Sequence, residues 1–310
     1  MAAKRPWQVD YLVYLTVRCV VCLVQMLTWN RAAQLAELLG RFAYRIDRRH
    51  RLVAADNLRH AFPEKTETEI DALVRACYRH WTRVVVEMIR LPRTLRASNL
   101  FDHVSYPHPG HRVLAEYLSM NMRPMMLVTG HFGNFEVLSY ALGLHGDVGA
   151  VIARRLDNPY LDRFLRQFRQ GTGQQILDKN LDYELILRQL VAGGRLGMVG
   201  DQDAGARGLF VDFFGRPAST FKSIALLSLE YNAPIAVMGA ARAPGEMQFA
   251  LYLEDVIYPW DYAAHPDAVR VTQRYTAALE RMVRRHPEQY FWLHRRWKHL
   301  PVTRKAKRVA

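Results

Sequence analysis

Three rhythms of apolar and polar residues divide the chain. Tyr11 to Leu27 is an almost unbroken apolar run with Arg18 near its middle. Residues 31–100 carry apolar positions three and four apart. Pro63 stops one helix, and Thr66-Glu-Thr-Glu supplies a cap and first-turn acids for the next. In helix 67–91, Ile70, Leu73, Val74, Cys77, Trp81, Val84, Val85 and Met88 form one stripe, predicted to pack on the domain that follows.

From about residue 120 the rhythm changes to short apolar runs: Met125-Met-Leu-Val-Thr-Gly, Val148-Gly-Ala-Val-Ile-Ala, Arg195-Leu-Gly-Met-Val-Gly and Pro234-Ile-Ala-Val-Met-Gly. Helix-length segments separate them, which predicts βαβ units and a buried, mainly parallel sheet flanked by helices. Gln248–Val256 adds a strand and Asp267–Arg285 a late helix. The expected organisation is an α/β protein with an N-terminal hydrophobic membrane-anchoring helix (1–30), a helical segment (31–100), an α/β catalytic domain (101–300) and a basic tail (301–310).

A bilayer span needs roughly 20 mostly apolar residues, so 11–29 nearly suffices. A charge such as Arg18 at the centre costs roughly 2.5 to 3.5 kcal/mol, which snorkelling reduces. Trp7, Tyr11, Tyr14 and Trp29 sit near the two ends, as interfacial aromatics do, and Lys4 and Arg5 keep the first end on the cytoplasmic side. A soluble core helix competes with this reading. A cleaved signal fits poorly, because Arg18 interrupts the apolar region and the helical pattern continues through 32–44.

Composition sharpens the picture. The 310 residues hold 43 Lys plus Arg against 29 Asp plus Glu, a net charge of +14, and half are apolar. Such a surface attracts anionic membrane lipids, phosphorylated lipids or an acidic carrier protein. Nucleic acid is not expected, since no C2H2 spacing, RNP-like run or basic zipper is present. Phe291-Trp-Leu-His-Arg-Arg-Trp-Lys-His and the tail Arg304-Lys-Ala-Lys-Arg are expected to meet lipid head groups. Cys19 and Cys22 have the C-x-x-C spacing of a redox pair, but inside the apolar run they read as buried, inert thiols, and the odd count with Cys77 fits a reducing compartment.

The string Thr129-Gly-His-Phe-Gly-Asn-Phe-Glu carries the candidate chemistry. His131 follows a strand directly, and Glu136 falls in the first turn of the next helix. An alcohol is a poor nucleophile at neutral pH, and a neutral imidazole is suited to taking its proton. Glu136 is expected to accept a hydrogen bond from the second ring nitrogen, fixing the tautomer and stabilising the imidazolium. Asp201 follows the strand Leu196–Gly200; it is read either as a site residue or as a loop cap. Arg154, Arg155, Arg163, Arg166 and Arg169 are crowded, and most are expected to form a solvated face. Phe210, Val211, Phe213 and Phe214 border an acyl groove or fill the core. Thr220 is placed as the cap of the helix containing Ile224–Leu229.

These residues resemble a known family. His-x-x-x-x-Glu resembles the acid–base motif of glycerolipid-type acyltransferases, usually His-x-x-x-x-Asp. The wider string is similar to the bacterial lipid A biosynthesis (lauroyl/myristoyl) acyltransferases. Further matching stretches are Asn57-Leu58 with Ala61-Phe62-Pro63, Arg154 with Asn158-Pro159, Arg169 with Gly173, and Gly200-Asp-Gln-Asp-Ala-Gly continuing from Gly208 to Thr220. The resemblance implies a glycerolipid acyltransferase-like fold and an enzyme on the cytoplasmic face of the bacterial inner membrane. It also implies acyl transfer from acyl carrier protein or coenzyme A, as co-substrate, to a hydroxyl of a lipid A precursor. It makes His131 the base and Glu136 its partner, with Asn134, Arg154, Arg169, Asp201 and Gln202 on the substrate; no metal or other cofactor is expected. Phospholipid, glycolipid and aminolipid acceptors need the same chemistry. Two readings of another class stay open: a metal-dependent hydrolase using His131, Asp201 and Asp203, and a noncatalytic basic membrane-binding protein.

Overall fold

The computed structural model describes residues 6–301 apart from 109, 110, 115, 117–122, 148 and 180. Lys4, Arg5 and the basic tail from Arg304 lie outside the described residues. The apolar runs become strands of one sheet: β1 (Val104–Ser105), β2 (Met125–Thr129), β3 (Ala150–Ala153), β4 (Gln175–Asp178), β5 (Arg195–Val199), β8 (Ile235–Arg242) and β9 (Phe249–Ile257). A separate hairpin is formed by β6 (Leu209–Phe213) and β7 (Arg216–Thr220). The sheet order is β1-β9-β8-β2-β5-β3-β4. Every neighbouring pair is parallel except β8 with β9. The mainly parallel sheet flanked by helices is therefore present. Met126, Val128, Leu196, Ile235 and Val237 are buried in the central strands. Strands covered on both faces need no polar alternation, which is why their runs are continuous. Neither β1, β4 nor the hairpin follows from the runs singled out above. Gln175-Ile-Leu-Asp has two apolar residues and ends on charge.

Before the sheet come helices Trp7–Met26, Trp29–Ile46, Arg48–Ala61 and Glu67–Thr94. Thr66 begins the last of these with a reciprocal capping box: its hydroxyl accepts from the Glu69 N–H, and the Glu69 carboxylate accepts from the Thr66 N–H. Most of the expected stripe is the packed face, with Ile70, Val74, Cys77 and Val84 buried, whereas Val85 is exposed.

The first helix has 20 residues, and Val24 is its buried position. At about 1.5 Å per residue it is some 30 Å long, the thickness of a bilayer core. Arg18 faces the protein: its guanidinium donates to the Tyr14 hydroxyl (3.0 Å) and lies 5.0 Å from the Phe164 ring centre. Tyr11 and Tyr14 pack on Tyr160, and Asn158 donates to the Asp10 carbonyl. The charge in the apolar run thus rests, still exposed, against the helix Pro159–Gln170. Leu12, Leu23 and Met26 point outwards.

Several sequence expectations need correction. Trp29 is buried beside Arg83 and Arg90, so it is not an interfacial aromatic. Cys19 and Cys22 are exposed on the apolar helix rather than buried. Cys77 is buried as expected, and burial pushes its thiol up to about 12. The Phe291–His299 stretch is not a surface patch. Trp292 and Trp297 are buried, and the enclosed Arg296 guanidinium donates to the Ser219 carbonyl and the Thr220 hydroxyl (2.6 Å). Thr220 therefore serves that clamp, and its side chain does not cap the following helix, Lys222–Glu230. Phe213 and Phe214 pack edge-on against Tyr290 and Trp292 in the core. They border no acyl groove, because aromatic rings on a hairpin find more apolar surface inward than outward.

Candidate active site

Strand register decides which residues meet at the carboxyl edge of the sheet. β2 and β5 pair Thr129 with Val199. Each strand then continues through one glycine, Gly130 and Gly200, into His131 and Asp201. The two side chains consequently stand side by side. His131 Nδ1 is 2.8 Å from Asp201 Oδ1, and the His131 backbone N–H donates to Asp201 Oδ2 at 2.7 Å. A methyl group added at Gly130 would lie 3.1 Å from Asp201 Oδ2, so the bare glycine lets the carboxylate approach. Topology and register thus bring together two residues 70 positions apart.

The loop after His131 is pinned on both sides. Phe291 N–H donates to the His131 carbonyl, Gly133 N–H to the Gln289 carbonyl, and Asn134 N–H to the Ala240 carbonyl. Gly133 has φ +56, and a methyl group there would sit 1.9 Å from the Ala240 oxygen. Both its handedness and the space around it require glycine. Gly133→Ala is expected to destabilise the protein by more than about 3 kcal/mol, readable as a fall in the denaturant midpoint. A midpoint equal to wild type would contradict this packing.

Asn134 begins the helix Phe135–Leu144 and is fully buried. Its Oδ1 accepts from Val137 N–H (3.2 Å), and its Nδ2 donates to Glu87 (3.0 Å). It is a helix cap tied into the core, so its assignment to substrate is corrected. Glu87, itself buried, also holds Arg242, whose guanidinium reaches His80 Nδ1 (2.7 Å). Burial and the Arg242 charge hold His80 well below its ordinary pKa. The neutral ring is then free to donate from Nε2 to the Gly133 carbonyl (3.0 Å). Local motif reading gave no hint of Glu87, His80 and Arg242 as supports of the His131 loop.

Glu136 does not accept from the imidazole. Both its oxygens are held by the Arg169 guanidinium, Nε at 3.1 Å and a second, shorter contact through Nη2. A planar fork matches a carboxylate better than one ring nitrogen does, and Arg169 faces Glu136 from the end of helix Pro159–Gln170. Asp201 fills the position expected for Glu136. Glu136 still acts on the imidazole through space. Burial opposes a charged His131, but the Asp201 carboxylate and its hydrogen bond outweigh it. Glu136 adds to them and Arg169 subtracts, leaving the His131 pKa above its ordinary value. Burial would likewise raise Asp201, yet the His131 charge and hydrogen bonds hold it below the usual carboxylate value. The buried Tyr290 hydroxyl also faces this carboxylate.

His131 opens onto a cavity of about 470 Å³. Phe135 and Phe291 flank the ring, with centres 5.2 and 5.9 Å away. With Nδ1–H directed at Asp201, the Nε2 lone pair is left for a reactant, and the Gln202 amide lies 3.5 Å from it. Glu136, Arg169, Gln202 and Arg154 all line this cavity. The Arg154 side chain is 73% exposed beside a still more open Asp157, so it can still receive an anion. Lys179 and Tyr183 join it from elements not singled out in the sequence, and Ser223 from the helix that follows Thr220. Below the mouth the walls are largely aliphatic, including Leu127, Leu138, Val151, Leu165 and Ile186. Such a site can deprotonate a hydroxyl beside a long apolar group.

No three His, Cys, Asp or Glu side chains among the described residues converge as metal ligands. Asp203 instead accepts from His299 Nδ1 (2.7 Å), while its own N–H donates to His294. The trio His131, Asp201 and Asp203 is therefore not assembled.

Residues 2–299 match the family model described as bacterial lipid A biosynthesis acyltransferase. The chain is 23% identical over 269 residues to a lipid A biosynthesis acyltransferase of Haemophilus influenzae, covering 83% of this chain and 80% of that protein. It is 25% identical over 257 residues to lipid A biosynthesis acyltransferase 2 of Shigella flexneri, with 82% and 80% covered. To the lipid A biosynthesis lauroyltransferase of Escherichia coli (strain K12) it is 24% identical over 287 residues, with 91% and 90% covered.

Proposed function

The chain belongs to the bacterial lipid A biosynthesis acyltransferase family and is an acyltransferase, and from that premise we propose that it transfers a fatty acyl group from a thioester to a hydroxyl of a lipid A precursor with His131 as base. The observation that carries this reading is the His131–Asp201 pair at the mouth of an apolar cavity. Nε2 takes the hydroxyl proton while the alkoxide oxygen attacks the thioester carbonyl. The carbon–sulfur bond breaks, an ester remains, and the imidazolium returns the proton to the leaving thiolate, which frees the thiol and restores the base. Asp201 fixes the tautomer and, with Glu136, stabilises that cation. No covalent enzyme intermediate is needed. Arg154 grips an anionic group of the acceptor or donor at the rim.

The donor is an acyl carrier protein or coenzyme A thioester, and the site lies on the cytoplasmic side of the bacterial inner membrane. Two apolar surfaces support membrane attachment. The first helix presents Leu12 and Leu23, and helix Trp29–Ile46 presents Leu38, Phe42 and Ile46 one turn apart beside Arg41 and Arg45. The paired change Leu12→Asp with Leu23→Asp adds two charges at roughly 2.5 to 3.5 kcal/mol each against insertion. The full chain is then expected to move from the membrane pellet to the supernatant, while unchanged sedimentation would contradict the attachment.

The function is tested by incubating purified protein with an acyl thioester and a lipid A precursor. The expected product is the precursor heavier by one acyl group minus one hydrogen, with free thiol released in equal amount. Thiol release with no acylated lipid would make the protein a thioesterase and overturn the reading.

A further inference from the structure

We infer that the cavity is closed at depth by the Arg195–Asp147 ion pair, and that this stop restricts the donor to a medium-length acyl chain of about ten to twelve carbons. The inference rests on the acyl-transfer reading above and names its donor more narrowly. His131 marks one end of the cavity, at the carboxyl edge of β2, and Arg195 and Asp147 line the other. Between them the floor is one sheet face: Leu127 and Thr129 on β2, Gly197 and Val199 on β5, and Val151 and Ala153 on β3.

Arg195 to Val199 is four residue steps at about 3.3 Å, or about 13 Å. A zigzag chain of bonds near 1.5 Å advances about 1.3 Å per carbon, so about ten carbons fill that length. The carbonyl carbon and its neighbour remain at the level of His131.

The nature of the stop matters as much as its depth. Arg195 is 5% exposed and Asp147 3%, and they contact each other directly. An apolar end wall yields by rotamer changes, so one more methylene is often accommodated. A buried ion pair does not yield that way, because parting it strands two charges away from water. Each methylene forced against it should lower transfer roughly tenfold or more.

Gly197 supplies the second observation. It stands midway along the floor without a side chain, and a methyl group there would lie 3.3 Å from Val151 Cγ2. The missing side chain keeps the passage to the ion pair open, and any branched residue would close it halfway.

The test compares acyl carrier protein thioesters of about eight to sixteen carbons as competing donors to a lipid A precursor, using full-length detergent-solubilised protein. Wild type is expected to peak at about ten to twelve carbons and to fall at least tenfold at sixteen. Gly197→Val, a strand-compatible change, should move the peak shorter by about two to four carbons. Joint replacement Asp147→Ala with Arg195→Ala removes both charges of the pair and should move it longer by a similar amount. If the double variant fails to fold, Gly197→Val still decides. Transfer by wild type with a profile that neither folded variant alters would overturn the stop and leave the function intact. Absence of transfer from every donor would overturn the functional reading, and the stop with it.

Discussion

Replacing His131 by alanine is expected to lower acyl transfer about 1,000-fold or more while the protein stays folded. The loss should appear in kcat, because the ring contributes mainly once the hydroxyl proton is moving. KM for the thioester should change little, since the aliphatic walls that hold the acyl chain are untouched. Folding should survive because the loop is held by its backbone. The His131 carbonyl accepts from Phe291 N–H, and the His131 N–H still donates to Asp201. Activity within tenfold of wild type in a protein with a normal unfolding midpoint would remove His131 from the chemistry.

The second large effect is expected from Asp201→Asn, a loss of about 1,000- to 10,000-fold in kcat. The substitution keeps the shape and removes one buried negative charge. An asparagine oxygen can still accept from the His131 N–H, but its amide nitrogen then faces Nδ1. Nδ1 must become the acceptor, which moves the ring proton to Nε2 and blocks it as a base. Glu136→Gln should cost less than Asp201→Asn. Glu136 does not touch the ring; it binds Arg169 and adds only a through-space attraction for the imidazolium. If Glu136→Gln proved the more damaging change and Asp201→Asn nearly silent, the orienting role would return to Glu136.

The sheet and the position of His131 were legible because strand cores in a parallel sheet are continuous apolar runs. Met125–Gly130 and Arg195–Gly200 each end on a glycine followed by a chemical residue. That shared ending, Gly-His and Gly-Asp, was the available sign that the two would meet. Sequence spacing favoured Glu136 instead, because proximity along the chain is visible and register between strands is not. Asn134 was misplaced for a related reason. Its capping role needs nothing beyond local sequence, but its burial depends on Glu87 from a distant helix. The Phe291–His299 stretch looked like a surface patch by composition. Only the packing of the hairpin against it turns Trp292, Arg296 and Trp297 inward. Arg18 shows the converse: its charge seemed to oppose an embedded helix, and the answer lay on Phe164 of another helix.

The pH dependence of kcat/KM, compared between wild type and Asp201→Asn, reads the coupling of imidazole to carboxylate directly. A general base must be unprotonated, so the rate rises with pH through the pKa of His131. Because Asp201 holds that pKa above its ordinary value of 6.5, the wild-type acid limb should have its midpoint above 6.5. In Asp201→Asn the residual activity should show that limb displaced to lower pH. An acid limb that keeps the same midpoint in both proteins would contradict the account.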